Sequence, residues 1–217
     1  HIVPIYEVGA TQERLYIADG HHRFETSVSF MKECEGRNWK PAAVESFDKR
    51  MVTCFNAVDG GTILPTHRLV RDLPGFDAPS FLRAIRQHFR VEPASSPADL
   101  WEKMKQGRKE KVFGFYPESL KKFYLLRLKE QAVEDPILLK HAEAYRRLDV
   151  SIFHALLLNR YLGIDESSLE AQAHVDYERD RESCIRLADE GKYQAAFFLN
   201  PTTVEQMLQI ASLGERM

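Results

Sequence analysis

Cysteine is scarce in this sequence. The three cysteines, Cys34, Cys54 and Cys184, lie far apart among 217 residues and form no Cys-x-x-Cys pair. Such spacing argues against a disulfide scaffold, a zinc ribbon or a redox pair. We therefore expect reduced, buried thiols in a cytoplasmic protein.

An excess of charge of one sign is also missing. Thirty Lys and Arg residues face 32 Asp and Glu residues, so the formal net charge is -2. The absence of a basic field argues against nucleic acid as a partner. The longest apolar run, residues 155–158, is too short to cross a bilayer, and no signal peptide is visible. We expect no membrane partner.

Several common catalytic motifs are absent. The sequence has neither a Gly-x-x-x-x-Gly-Lys-Ser/Thr loop nor a Gly-x-Gly-x-x-Gly turn, which argues against the P-loop and Rossmann folds. Ser27, Ser29 and Ser151 lack the Gly-x-Ser-x-Gly elbow of a hydrolase. No His-x-x-x-His pair is present, so we predict no metal site of that kind.

The residues that are present indicate a folded protein with mixed secondary structure. Hydrophobic residues make up 44% and charged residues 29% of the chain, as in ordinary globular domains. Strand-like and helix-like patterns alternate, which predicts an α/β or α+β fold. Weak breaks suggest three segments, 1–72, 73–135 and 136–217. We predict strands at 15–18, 51–58, 112–116, 123–128, 175–178 and 195–199. We predict helices starting near His21, at 79–89, 98–105, 137–148 and 150–162, around Cys184 and from Thr203.

The string Asp19-Gly20-His21-His22-Arg23 lies between a predicted strand and a predicted helix. The first N–H groups of a helix lack intrahelical partners and favour an anion. Gly20 permits a sharp turn, Arg23 offers a planar fork of donors, and the histidines can donate hydrogen bonds or move protons. A plain helix cap at Asp19 with surface histidines is an equally good interpretation.

A second basic cluster, Pro65-Thr66-His67-Arg68, follows a short apolar run. His67 and Arg68 would reach the same anion as Arg23 if the two segments pair in space. The alternative, a loop with solvated basic residues, is favoured by spacing alone.

Two further groups carry chemistry-bearing side chains. We interpret the hydroxyls of residues 200–203 as helix caps rather than ligands, with Thr203 and Gln206 at capping-box spacing. His154 lies among apolar neighbours, which is typical of a satisfied core histidine.

Four strings in order resemble a widespread bacterial and archaeal family of proteins of unknown function, number ten-fifteen in the domain-of-unknown-function series. The resemblance covers nearly the whole chain and says more about identity than about function. The strings are residues 15–23, Ile63-Leu64-Pro65-Thr66-His67-Arg68, Leu148-Asp149-Val150-Ser151-Ile152-Phe153-His154, and the C-terminal pair 198–202 and 214–217.

The Asp-Gly-His-His-Arg string is also similar to the Asp-Gly-His-x-Arg box of free serine kinases, which have a ParB/sulfiredoxin-like fold. This resemblance implies a strand-turn-helix nucleotide site with an additional α/β subdomain, and ADP or ATP with Mg²⁺ as cofactor. Gly20, His21 and Arg23 would contact phosphates. Asp19, near the substrate hydroxyl or the metal, and His22, in the variable position of the box, are the candidate catalytic residues.

This sequence departs from the pattern of the free serine kinases at one point. The serine kinases take a catalytic glutamate from a segment well before the box, whereas only eighteen residues precede Asp19 here. Glu7 and Glu13 lie too close to the box to replace it. We therefore expect the chain to be a fragment of a longer protein.

The function that these patterns favour is nucleotide-dependent phosphotransfer to a small hydroxylated metabolite such as free serine. The alternative is a non-catalytic, nucleotide-binding regulator of the ParB type. A DNA-associated module is a third possibility, which the near-neutral charge disfavours. The patterns do not predict an oligomeric state.

Overall fold

The computed structural model describes residues 2–4, 14–17, 20–42, 46–54, 63–139, 143–171 and 173–212. The chain divides into two compact units, His1–Gly61 with Leu208–Arg216 and Thr62–Met207 with Met217. Among the described residues, no helix is long and apolar enough to cross a membrane.

The first unit contains the predicted strand, turn and helix. Strand β1 (Ile2–Pro4) pairs antiparallel with β2 (Arg14–Tyr16), and helix α1 runs over His21–Gly36. Gly20 precedes the helix, as predicted, whereas Asp19 lies outside the described residues. The strand predicted at 51–58 is wrong over 51–54, which are irregular, and its remainder lies outside the described residues.

The second unit is built on an antiparallel sheet that, in the described part of the chain, has six strands. Their order across the sheet is β4-β6-β5-β8-β3-β7, and every pairing is antiparallel. The fold therefore mixes helices with an antiparallel sheet, as expected for the α+β form of the prediction. The strands are β3 (His67–Val70), β4 (Phe89–Ala94), β5 (Val112–Pro117), β6 (Phe123–Leu128), β7 (Val175–Glu178) and β8 (Ala195–Phe198).

All three predicted segments contribute to this sheet. Strand β3 comes from 1–72, β4 to β6 from 73–135, and β7 and β8 from 136–217. Hydrogen bonding across the sheet therefore joins strands that are distant in sequence.

Helices cover both faces of the sheet. Two apolar clusters lie on opposite faces of the sheet. Successive side chains of β8 point to opposite faces, so Phe197 belongs to one cluster and Phe198 to the other. Side chains of Asp77, Ser96 and Asp180 cap α2, α3 and α7. The helices are α2 (Ala78–Ala84), α3 (Pro97–Gln106), α4 (Glu143–Arg146), α5 (Asp149–Ile152), α6 (Glu166–Glu170), α7 (Arg181–Asp189) and α8 (Val204–Ser212).

Helix α5 continues directly into a π-helix over Phe153–Tyr161. Gly163, with φ of 68°, ends the helical stretch, as the sequence predicted. The wider π-helical turn was not predicted. Such segments are rare and occur frequently at functional sites.

Some predicted elements differ from the structure. The helix expected over 79–89 ends with the 3₁₀ turn Ile85–Gln87, because Phe89 instead pairs with Leu128 at the start of β4. Strand β4 includes Pro93, which the sequence placed in a connector. Of the helix predicted over 137–148, only α4 is helical among the described residues.

Candidate functional site

Gly20 forms the turn at the start of α1. Its φ of 82° and ψ of 27° lie in the left-handed region, where a residue with a Cβ is strained. Its carbonyl accepts the first helical bond, from Phe24 N–H at 2.9 Å. Gly20 has no side chain with which to cap the helix, and no described side chain caps the first N–H groups of α1.

The guanidinium of Arg23 folds back over Gly20. A Cβ at position 20 would lie 3.1 Å from Arg23 Nη2 and 3.3 Å from its Nε. The glycine therefore provides both the turn and the space for the arginine. The first turn of α1 contains no acidic residue, so the partial positive charge of the helix N-terminus adds to that of Arg23.

His22 is fully open to solvent, with its side chain 95% exposed. Its Nδ1 lies 4.0 Å from a carboxylate oxygen of Glu25. The side chain of His21 is outside what the structure describes. The described part of the turn thus presents backbone N–H groups, a guanidinium and an imidazole, which together suit an anion such as a phosphate.

His67 and Arg68 do not lie in a solvated loop. They begin strand β3 and are buried, because β3 lies inside the sheet between β7 and β8. Neighbouring residues of a strand point to opposite faces. His67 lies opposite Glu178, whereas Arg68 lies opposite Tyr177 and Phe197. The two side chains therefore serve different faces of the sheet.

His67 is enclosed on the face that carries the second apolar cluster. Its ring packs edge-on against Phe198, with ring centroids 5.3 Å apart. Its Nδ1 accepts a hydrogen bond from Leu199 N–H at 3.3 Å, so Nε2 carries the proton. Burial, followed by the cation of Arg181, lowers the pKa of His67 to about 4. Its Nε2 has no partner among the described residues.

Arg68 is held on the opposite face. Its Nη1 donates to the carbonyl of Thr66, and its guanidinium carbon lies 4.8 Å from the ring centre of Tyr177. Burial lowers the pKa of Arg68 to about 10, which still leaves it protonated at neutral pH. Its Nε has no partner among the residues that the structure describes.

The predicted convergence of Arg23 with His67 or Arg68 stays a prediction. Arg23 belongs to the first compact unit and the other two residues belong to the second. What the structure does describe is the separation of His67 from Arg68 by the plane of the sheet.

His154 is not the satisfied core histidine that its neighbours indicated. Its Nε2 is buried without a hydrogen-bond partner in the described structure, as is Oγ of Ser151 three residues earlier. Burial, followed by the cation of Arg68, lowers the pKa of His154 to about 4. The spacing of Ser151 and His154 on one helix is the signal that the sequence offered.

The cap predicted at Thr203 is confirmed. Thr203 N–H donates to Gln206 Oε1 at 2.9 Å, and Gln206 N–H donates to Thr203 Oγ1 at 3.2 Å. Asn200 Nδ2 donates to the carbonyl of Met104 at 3.2 Å. Among the described residues, no group of three His, Cys, Asp or Glu side chains is arranged to hold a metal. Cys34 and Cys184 are buried, whereas Cys54 is exposed.

The fold and the turn define a mixed α and β protein with an anion-compatible helix start. The chain belongs to the family described as "Protein of unknown function (DUF1015)", whose model matches residues 3–151. The family resemblance seen in the sequence is therefore confirmed.

Two solved structures are similar to the chain. A conserved hypothetical protein from Pyrococcus furiosus has 15% identity and a TM-score of 0.44, over 96% of this chain and 68% of that one. A free serine kinase in complex with AMP has 16% identity and a TM-score of 0.43, over 96% of this chain and 66% of that one. The chain thus spans about two thirds of their length. No curated protein matches it.

Proposed function

We propose that the turn around Gly20 binds the phosphates of a nucleotide, and that the intact protein transfers a phosphoryl group to a small hydroxylated metabolite such as free serine. The observation that carries the proposal is the left-handed Gly20 at the start of α1 with the guanidinium of Arg23 folded over it. The similarity of residues 19–23 to the box of free serine kinases supports the same function.

In this proposal the protein acts mainly by positioning phosphates and neutralising their charge. The N–H groups of Gly20 and His21 and the guanidinium of Arg23 bind the phosphate oxygens. His22, exposed beside them, is a candidate for proton transfer at the acceptor. Asp19 is assigned to the acceptor hydroxyl or to a metal ion.

The donor set fits Mg²⁺ only together with the nucleotide. Mg²⁺ is usually held by one or two carboxylates and by substrate phosphates. Asp19 is the carboxylate next to the turn, so it would hold the ion jointly with the phosphates of ADP or ATP. When bound, the ion would neutralise phosphate charge. His67 and Arg68, at the start of β3, are further candidates for phosphate contacts.

A phosphoserine assay with ADP or ATP and L-serine tests the reaction. Asp19→Asn should lower turnover far more than it lowers nucleotide affinity, because its role lies at the acceptor or the metal. Glu33→Gln, near the far end of α1, is the matched control and should leave both unchanged. Equal losses of turnover and of affinity in Asp19→Asn would contradict the role given to Asp19.

The alternative is a nucleotide-binding regulator without turnover. The helix start and Arg23 would bind phosphate with or without a transfer step, so this function rests on the same observation. Light scattering with and without ADP separates the two. A nucleotide-dependent change of mass without phosphoserine formation would favour the regulator.

A further inference from the structure

Three buried polar atoms on one side of the sheet have no hydrogen-bond partner among the described residues. They are Nε of Arg68, Oγ of Ser151 and Nε2 of His154. Arg68 is 6% and Ser151 is 5% exposed. Buried polar groups are nearly always paired, so three orphaned atoms in one region call for an explanation.

The three side chains belong to facing elements of the second unit. Arg68 lies opposite Phe197 in the sheet, so both side chains project from the same face. Phe197 packs against Phe153 with ring centroids 5.2 Å apart. Phe153 lies between Ser151 and His154 on the helix, which therefore covers the face from which Arg68 projects.

The charge of Arg68 has no counterion in the described structure. Tyr177 covers the guanidinium, yet a π face compensates a buried cation only in part. An unpaired buried charge is strongly destabilising, and removing it often stabilises a protein. A buried arginine without a described counterion therefore indicates a ligand that supplies the opposite charge.

The helix geometry at this place is a second, independent observation. The change from α5 to the π-helix occurs at Phe153, between Ser151 and His154. π-Helical turns inside α-helices are rare and are found frequently at functional sites.

We propose that Arg68, Ser151 and His154 form an oxyanion site that binds a carboxylate or phosphate group of a small-molecule ligand. Arg68 supplies the charge and donates from Nε. Ser151 donates from its hydroxyl, and His154 donates from Nε2 in the tautomer that carries its proton there. His67 projects from the opposite face of the sheet and is not part of this site. A metal ion is not the expected ligand, because Arg68 would repel it.

Inorganic phosphate and acetate are titrated separately as probes of the site. Binding is measured from the ring ¹H–¹⁵N signals of His154 in NMR spectra. One of the two anions should shift these signals saturably, and the anion that does so identifies the ligand chemistry. Arg68→Met should weaken that binding tenfold or more. Arg90→Met, which removes an exposed arginine on β4, should leave the affinity unchanged.

The melting temperature of Arg68→Met distinguishes a ligand site from a purely structural role. A purely structural role predicts that this variant melts at a lower temperature than the wild type. Without added anion, Arg68→Met should melt at the same or a higher temperature than the wild type, since it removes an unpaired buried charge. If Arg68→Met does not fold, Ser151→Ala replaces it, and should bind the anion at least threefold more weakly with an unchanged melting temperature. The proposal is overturned if neither anion shifts the His154 signals, or if Arg90→Met weakens the binding as much as Arg68→Met does.

Discussion

Two features of the structure require glycine at position 20. The backbone is left-handed there, and a Cβ would press against the guanidinium of Arg23. The sequence predicted the glycine and the helix start, because an apolar run changes to helical spacing at this point. It did not predict that Arg23 folds back over the turn, since the conformation of a side chain leaves no trace in the spacing of residues.

Gly20→Ala should therefore destabilise the protein by about 1 kcal/mol, the cost of a non-glycine residue in the left-handed region. It should also weaken phosphate binding, because Arg23 must move. Gly36→Ala is the control: a Cβ there meets nothing within 4 Å, and alanine is the better helix former. Urea denaturation of both variants makes the comparison. Equal stability of the two would contradict the strain assigned to Gly20.

Burial of His67 and His154 should make the fold acid-sensitive. Each pKa falls from 6.5 to about 4, so the unfolded chain binds these protons first. Stability is then complete above pH 6.5 and is lost as the pH falls towards 4, by up to roughly 3 kcal/mol per group. Urea midpoints between pH 7 and 4 measure this loss.

His154→Gln should show a shallower loss of stability over the same range. His22→Gln, at an exposed position, should behave like the wild type. If His154→Gln and the wild type lose stability in parallel as the pH falls, the neutral, buried state assigned to His154 is wrong.

Among the elements, the hairpin of β5 and β6 was the most predictable. Apolar runs on each side of Pro117-Glu118-Ser119 give the strands, and the structure pairs Phe115 with Tyr124. Strand β4 was missed, since Pro93 and the serines that follow it are typical of a connector. Proline is tolerated there because β4 is the edge strand of the sheet.

Strand β3 shows why the second basic cluster, His67 and Arg68, was wrongly expected to be solvated. A histidine and an arginine side by side indicate a solvated segment, and local sequence carries no sign of the strands that bury them. The same limit applies to Ser151 and His154. That Ser151 Oγ and His154 Nε2 are buried without a partner follows from the packing of the helix against the sheet, which the local sequence does not predict.

The approach of α3 to β5 depends on Gly114. A Cβ at this position would lie 3.0 Å from Leu100 Cδ2, Met104 Sδ and Phe198 Cβ. Gly114→Ala should therefore destabilise the protein by about 1–3 kcal/mol through overpacking. In the Met104→Ala background, Gly114→Ala should destabilise the protein less, because the space that the Met104 side chain occupied is free. Urea denaturation that shows strictly additive costs would contradict this packing.

At the scale of the whole molecule, the turn at Gly20 and the orphaned atoms around Arg68 belong to different compact units. Each is argued from residues within its own unit. The mixed fold was predictable from alternating strand and helix patterns. The order of the strands was not, because the sheet joins strands that are distant in sequence.

The central claim is that the turn at Gly20 binds nucleotide phosphate through Arg23, and calorimetry with ADP and ATP tests it most directly. The wild-type chain should bind one of them. Arg23→Ala should bind it at least tenfold more weakly, because a charge-assisted hydrogen bond contributes ~1.5–3 kcal/mol. Arg37→Ala, which removes an exposed arginine just beyond the other end of α1, should bind like the wild type. Absence of binding at millimolar nucleotide, or equal affinities of Arg23→Ala and Arg37→Ala, would contradict the claim.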